Sequence, residues 1–112
     1  MKQVSCIIRP EKLDAVTEAL NKEHIAGMTV TDVRGFGRQK GQVEHYRGDA
    51  YTIRFIQKVK IDIVIQDQDE GKVLAAIAEA ARTGNVGDGK VFVVDVGNAL
   101  RIRTGEKGTS AL

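Results

Sequence analysis

An α+β fold, strand-helix-strand followed by strand-helix-strand, is predicted by three features of the sequence. Apolar runs rich in β-branched residues, Val4 to Ile8 and Val91 to Val96, stand near the two ends of the 112-residue chain. Two segments carry apolar residues at helical spacing, and a central segment places apolar residues mainly on odd positions and charged residues on even ones.

The first run reads as a strand, and Pro10 suits the first position of a following helix because a proline lacks the N–H that goes unused there. That helix extends to about Lys22, with Leu13, Val16, Ala19 and Leu20 on one face and Glu11 and Asp14 near the positive end of its dipole. Gly27 ends the connection. Met28 to Val33 reads as a second strand, where the phase slip between Val30 and Val33 implies a bulge. In the third strand Ile53, Phe55, Val59, Ile61, Ile63 and Ile65 fall on odd positions, facing the helices, while Arg54, Lys58, Lys60 and Asp62 fall on the other face. A second helix starts in the acidic run Asp67 to Glu70, which reads as a charge cap, and buries Val73, Leu74, Ile77, Ala78 and Ala81. It ends at Arg82, with Gly84 as the stop. After the last strand and a turn at Gly97 and Asn98, Ala99 to Arg103 reads as a short extra strand.

This order is ferredoxin-like, with helices on one face of the sheet. The other face carries Ile56 and Val64 among its charges and is expected to be covered by copies of the chain. The length fits a single domain, 1–112. Seventeen basic against fifteen acidic residues give a formal charge of +2, too balanced for a general nucleic-acid or membrane binder. No run approaches the roughly 20 apolar residues of a membrane span, so a cytoplasmic location without membrane insertion is expected. Cys6 lies within an apolar run and reads as a core residue.

Three segments bear on chemistry. From Gly37 to about Tyr51 neither period is present, and so long an irregular loop in a small chain is usually functional. Gly84-Asn-Val-Gly87-Asp88-Gly89-Lys90-Val91 has much of the spacing of a phosphate-binding P-loop. It carries Val91 where a magnesium-binding Ser or Thr belongs, and it runs from helix to strand rather than strand to helix. The glycines either make a simple turn or let backbone N–H groups approach an anion beside Lys90. Arg101 and Arg103 alternate with Leu100 and Ile102; with Lys58 and Arg38 they offer cations to one anionic ligand, or form a solvated charged face. His24 and His45 stand apart, and no Ser or Thr is joined to a His and a carboxylate at a recognisable spacing, so no enzyme is predicted.

Gly35-Phe-Gly-Arg-Gln-Lys-Gly41, Tyr46-Arg-Gly-Asp-Ala-Tyr51, Thr83 to Val93 and Arg101-Ile-Arg-Thr-Gly105-Glu-Lys107 together resemble the PII signal-transduction family over nearly the whole chain. Glu11 stands where that family commonly has an aromatic residue, and Asp49 where many members have Ala or Ser. The resemblance implies a nitrogen-regulating homotrimer with a signalling T-loop at about 37–55, a B-loop at about 82–90 and a carboxyl-terminal loop at about 101–112. It implies ATP or ADP between subunits, held by Ile7, Gly35, Arg38, Val64, Gly87, Asp88, Gly89 and Lys90 of one chain and Met28, Thr29, Arg101 and Arg103 of its neighbour, with Gly27 also among the nucleotide-binding residues. 2-Oxoglutarate would engage Gln39, Lys40, Gly41, Lys58 and Gly87, with Mg2+ bridging Gln39, the phosphates and the oxoacid. Implied partners are the cytoplasmic face of an ammonium transporter and a nucleotidylyltransferase, which would modify Tyr51, or other nitrogen-regulatory enzymes. The competing expectations are a paralogue with a changed loop partner and an interaction protein that works without nucleotide.

Overall fold

Residues 1–25, 27–36, 43–46 and 50–112 are described by the computed structural model, those in the short strands 43–46 and 50–53 by backbone alone. The chain runs β1 (Lys2–Ile8), α1 (Leu13–Lys22), β2 (Thr29–Gly35), β3 (Val43–Tyr46), β4 (Ala50–Ile53), β5 (Ile56–Ile65), α2 (Glu70–Ala81) and β6 (Gly89–Asp95). Short 3-10 turns, Pro10–Lys12 and Asp67–Asp69, lead into the helices. Pro10 sits at the first helical positions, as its fixed φ favours.

The antiparallel sheet has the order β2-β5-β1-β6, the ferredoxin-like βαββαβ arrangement. Alternation sends Val4, Cys6 and Ile8 of β1 and Val59, Ile61, Ile63 and Ile65 of β5 to one face. There they meet Val16 and Leu20 of α1 and Val73, Ile77 and Ala81 of α2. These side chains are nearly all sealed from water, and each contributes about 1.5–3 kcal/mol of hydrophobic stabilisation when large. The Cys6 thiol is pushed up to about 11 by burial, so it packs as a small apolar group.

The structure departs from the sequence reading in five places. β2 pairs with β5 without interruption from Thr29↔Asp62 to Gly35↔Ile56, so there is no bulge. Val30 and Val33 break phase because β2 is an edge strand, on which the helix-side position is only half covered; Val30 is 45% exposed. The third long strand starts at Ile56, not Ile53, and Phe55 is exposed, its ring edge-on to Phe36 at 6.4 Å. The Gly37–Tyr51 stretch expected to lack regular structure includes paired backbone, with Val43↔Ile53 through Tyr46↔Ala50. Ala78 is exposed, one position past the buried stripe of α2. Lastly, Ala99–Arg103 makes only the bridge Leu100↔Lys107. Gly105 N–H donates to Arg101 O, closing a turn where an added strand was expected.

Candidate functional site

The helix-free face ends, at the arrival of α2, in a turn whose backbone only glycine can adopt cheaply. Gly84, Gly87 and Gly89 have φ of 90°, 105° and 107°. At Gly89 close approach adds to this, because a Cβ there would lie 1.8 Å from the Ile7 carbonyl oxygen. Register sets Lys90 opposite Ile7, with Lys60 on the other side of Ile7, so one rung across the open face carries two lysines.

Asp88 organises the turn. Its Oδ2 accepts from the N–H groups of Thr83 and Gly84 at 2.8 and 2.9 Å. Its Oδ1 accepts from the Thr83 hydroxyl and from Arg9 Nε, the latter at 3.0 Å. The Thr83 hydroxyl and these donors hold the Asp88 carboxyl well below the usual carboxylate range. Its side chain is thus committed within the protein.

Lys58 reaches the same turn from β5. Its side chain passes beside Gly35, whose Cα would carry a Cβ 3.6 Å from Lys58 Cγ, and Nζ donates to Gly87 O at 2.6 Å. Although the alternation turns Lys58 away from the helices, it is only 9% exposed. Burial and then the positive charge of Arg9 push its pKa down, while Glu11 and Asp88 oppose the shift. A sheltered ammonium, a neighbouring guanidinium and a glycine turn together make a site suited to an anion.

The expected site residues fall into separate groups. Ile7, Gly35, Lys58, Gly87, Asp88, Gly89 and Lys90 gather at this end. Gly27, Thr29, Val64 and Arg101 line an open groove of about 850 Å³ toward the other end of the sheet. Lys58 and Val64 are six residues apart on one strand, about 20 Å at the usual rise. Met28 instead packs against the core, and Arg103 lies exposed in the turn. Since no strand forms there, the alternation expected to aim Arg101 and Arg103 together does not exist. Arg101 donates to Glu106 Oε1 at 3.2 Å and to Leu112 O at 2.8 Å. Arg38, Gln39, Lys40 and Gly41 lie outside the described residues. Tyr51 is opposite His45 in the β3–β4 ladder, its side chain outside the description. Arg9 was missed in the sequence reading, and its location just before Pro10, at the end of β1, gains meaning only once β6 pairs beside it.

Fold and site define a small α+β protein with an anion-competent glycine turn. Among the described residues no group of three or more His, Cys, Asp or Glu could hold a metal ion. Residues 1–106 match the family model described as "Nitrogen regulatory protein P-II". Proteins of that name from Microchaete diplosiphon, Synechocystis sp. and Pasteurella multocida are 56%, 55% and 53% identical, each over the full length of both chains. The chain belongs to the nitrogen regulatory protein P-II family, whose members are signal-transducing regulators rather than enzymes. No helix among the described residues is long and apolar enough to cross a membrane.

Proposed function

We propose that this chain senses adenine nucleotide and 2-oxoglutarate in the cytoplasm and transmits their levels to nitrogen-assimilation proteins through the 37–55 loop. The observation that carries this reading is the bond from Lys58 Nζ to Gly87 O, which sets a cation on a largely buried side chain beside the glycine turn, where a dianion would need one. ATP or ADP phosphates would lie against the N–H groups of the Gly87–Lys90 segment, with Lys90 beside them. The far carboxylate of 2-oxoglutarate would meet Lys58, and Gln39, Lys40 and Gly41 would close around the oxoacid. A hard cation such as Mg2+ suits the junction of phosphates, oxoacid and the Gln39 amide oxygen. If 2-oxoglutarate binds only where ATP and Mg2+ already sit, its report on carbon supply is conditional on energy charge.

Homotrimerisation is part of this proposal. Phe92, Val94 and Val64 are 52%, 55% and 37% exposed on the face that no helix covers, an area that copies of the chain would shield. The separation of the glycine turn from the Thr29 and Arg101 groove supports a nucleotide shared between neighbours. Calorimetry with ATP, ADP and 2-oxoglutarate, with and without Mg2+, tests the whole scheme. Oxoacid binding that requires both ATP and Mg2+ is expected; partner binding indifferent to nucleotide, with no heat from ATP, would overturn it.

Replacing Arg101 and Arg103 together by alanine should weaken ATP binding by about 2 kcal/mol or more, the loss of charge-assisted hydrogen bonds. An unchanged ATP affinity in the same titration would remove the carboxyl-terminal loop from the site. On the partner side, the proposed targets are an ammonium transporter's cytoplasmic face and nitrogen-regulatory enzymes. A nucleotidyl group on Tyr51 would obstruct docking of the loop by bulk and negative charge. Intact-protein mass spectrometry of nitrogen-starved and ammonium-shocked cells should show a reversible nucleotidyl mass, absent from Tyr51→Phe. A mass constant through both treatments would leave signalling to ligand binding alone.

A further inference from the structure

Arg9 makes a two-pronged contact with the glycine turn: Nε donates to Asp88 Oδ1 and Nη2 to the main-chain oxygen of Val86, both at 3.0 Å. The Arg9 side chain as a whole is 16% exposed and that of Asp88 24%. Asp88 carries the contact onward, since its second oxygen holds the N–H groups of Thr83 and Gly84. One side chain at the end of β1 thereby fixes both the entry and the exit of the turn between α2 and β6.

The effect on the turn follows from peptide geometry. In a trans peptide the carbonyl of one residue and the N–H of the next point in opposite directions. Drawing Val86 O toward Arg9, and Gly87 O toward Lys58, therefore turns the N–H groups of Gly87 and Asp88 the other way. Among the described residues, neither N–H donates to a backbone carbonyl in a turn or cap. They are the donors that an anion seated on the turn would use.

We infer that Arg9 is a positioning residue for phosphate binding: through Val86 O and Asp88 it fixes the peptide planes of the glycine turn before any ligand arrives. This rests on the nucleotide-binding reading above. It also reassigns Asp88, whose carboxylate serves the turn rather than the nucleotide. Lysine is a poor substitute for arginine in this role, because one ammonium on a flexible stem does not reproduce a planar fork.

The test uses Arg9→Met, Arg9→Lys and wild type, reading amide hydrogen exchange of the ligand-free protein and the affinity for ADP. Both variants should exchange at Thr83 and Gly84 about tenfold faster and bind ADP about tenfold more weakly, the scale of one charge-assisted hydrogen bond. Protection at Cys6 and Val91, in the β1–β6 ladder, should be unchanged. Unaltered exchange in Arg9→Met, or wild-type exchange and affinity in Arg9→Lys, overturns the inference. Faster exchange with full ADP affinity does so too, because turn order would then not govern binding. If wild type binds no ADP, the nucleotide reading fails, while exchange at Thr83 and Gly84 still decides whether Arg9 orders the turn. Should the Arg9 variants not fold, Asp88→Asn weakens the ion pair to Arg9 while leaving the bond to Val86 O, and wild-type ADP affinity in it overturns the inference.

Discussion

Lys58→Ala is expected to abolish 2-oxoglutarate binding to the ATP- and Mg2+-loaded protein while leaving ADP affinity within a few-fold. Lys58 as a residue is only 9% exposed, so the pairing of its side chain with a carboxylate is screened less than that of a surface lysine. Removing it would leave an incoming dianion without its buried counter-charge, a loss of about 2–5 kcal/mol, or roughly 30- to several-thousand-fold in affinity. ADP gives up only the indirect contribution of one bond, Lys58 Nζ to Gly87 O, since Arg9 still holds Val86 O and Asp88. Isothermal titration of each ligand separates the two effects. Equal losses for ADP and 2-oxoglutarate would refute the assignment of Lys58 to the oxoacid.

Gly89→Ala should be the most damaging single methyl addition to the turn. The new Cβ would stand 1.8 Å from the Ile7 carbonyl oxygen and 2.9 Å from its carbon, both backbone atoms of the central strand β1. It would also carry the residue at φ +107°, a conformation that L side chains rarely adopt. Relief requires Gly89 to leave the end of the β1–β6 ladder, and the combined strain and clash should lower stability by about 3 kcal/mol or more. At Gly97 a Cβ meets nothing within 4 Å, so Gly97→Ala should change stability by no more than about 0.5 kcal/mol. Urea denaturation at one fixed protein concentration compares them, and coincident midpoints would show that the turn accommodates a side chain.

The order of the main elements was legible because each is written in a local period. Val4, Cys6 and Ile8 alternate, as do Val59 to Ile65, and Val16, Leu20, Val73 and Ile77 repeat at helical spacing; all of them are core residues. Pro10 and Gly84 likewise mark their boundaries by backbone restrictions that act on a single residue. Where a period depended on neighbours, the reading failed. Val30 and Val33 looked like a bulge, but β2 is an edge strand, and exposure there reflects what lies beside it. Leu100 to Arg103 alternates as a strand would, yet Arg101 bonds Glu106 and Gly105 within a local turn.

By itself, then, the sequence determined the βαββαβ order, the buried face and the presence of a glycine-rich turn carrying Lys90. The tertiary structure decided which side chains serve that turn. Arg9, Lys58 and Asp88 are 30 or more positions apart along the chain, and only the pairing of β1 with both β5 and β6 brings them to one end of the sheet. It also decided what Asp88 does. Its carboxylate is held by Thr83, Gly84 and Arg9, which leaves its N–H as the group that can face an anion. Local periodicity is set by which face of an element meets water, so it survives in the sequence alone. Hydrogen-bond partnership is set by which distant segments share a rung or a turn, and it comes into being only when the sheet closes.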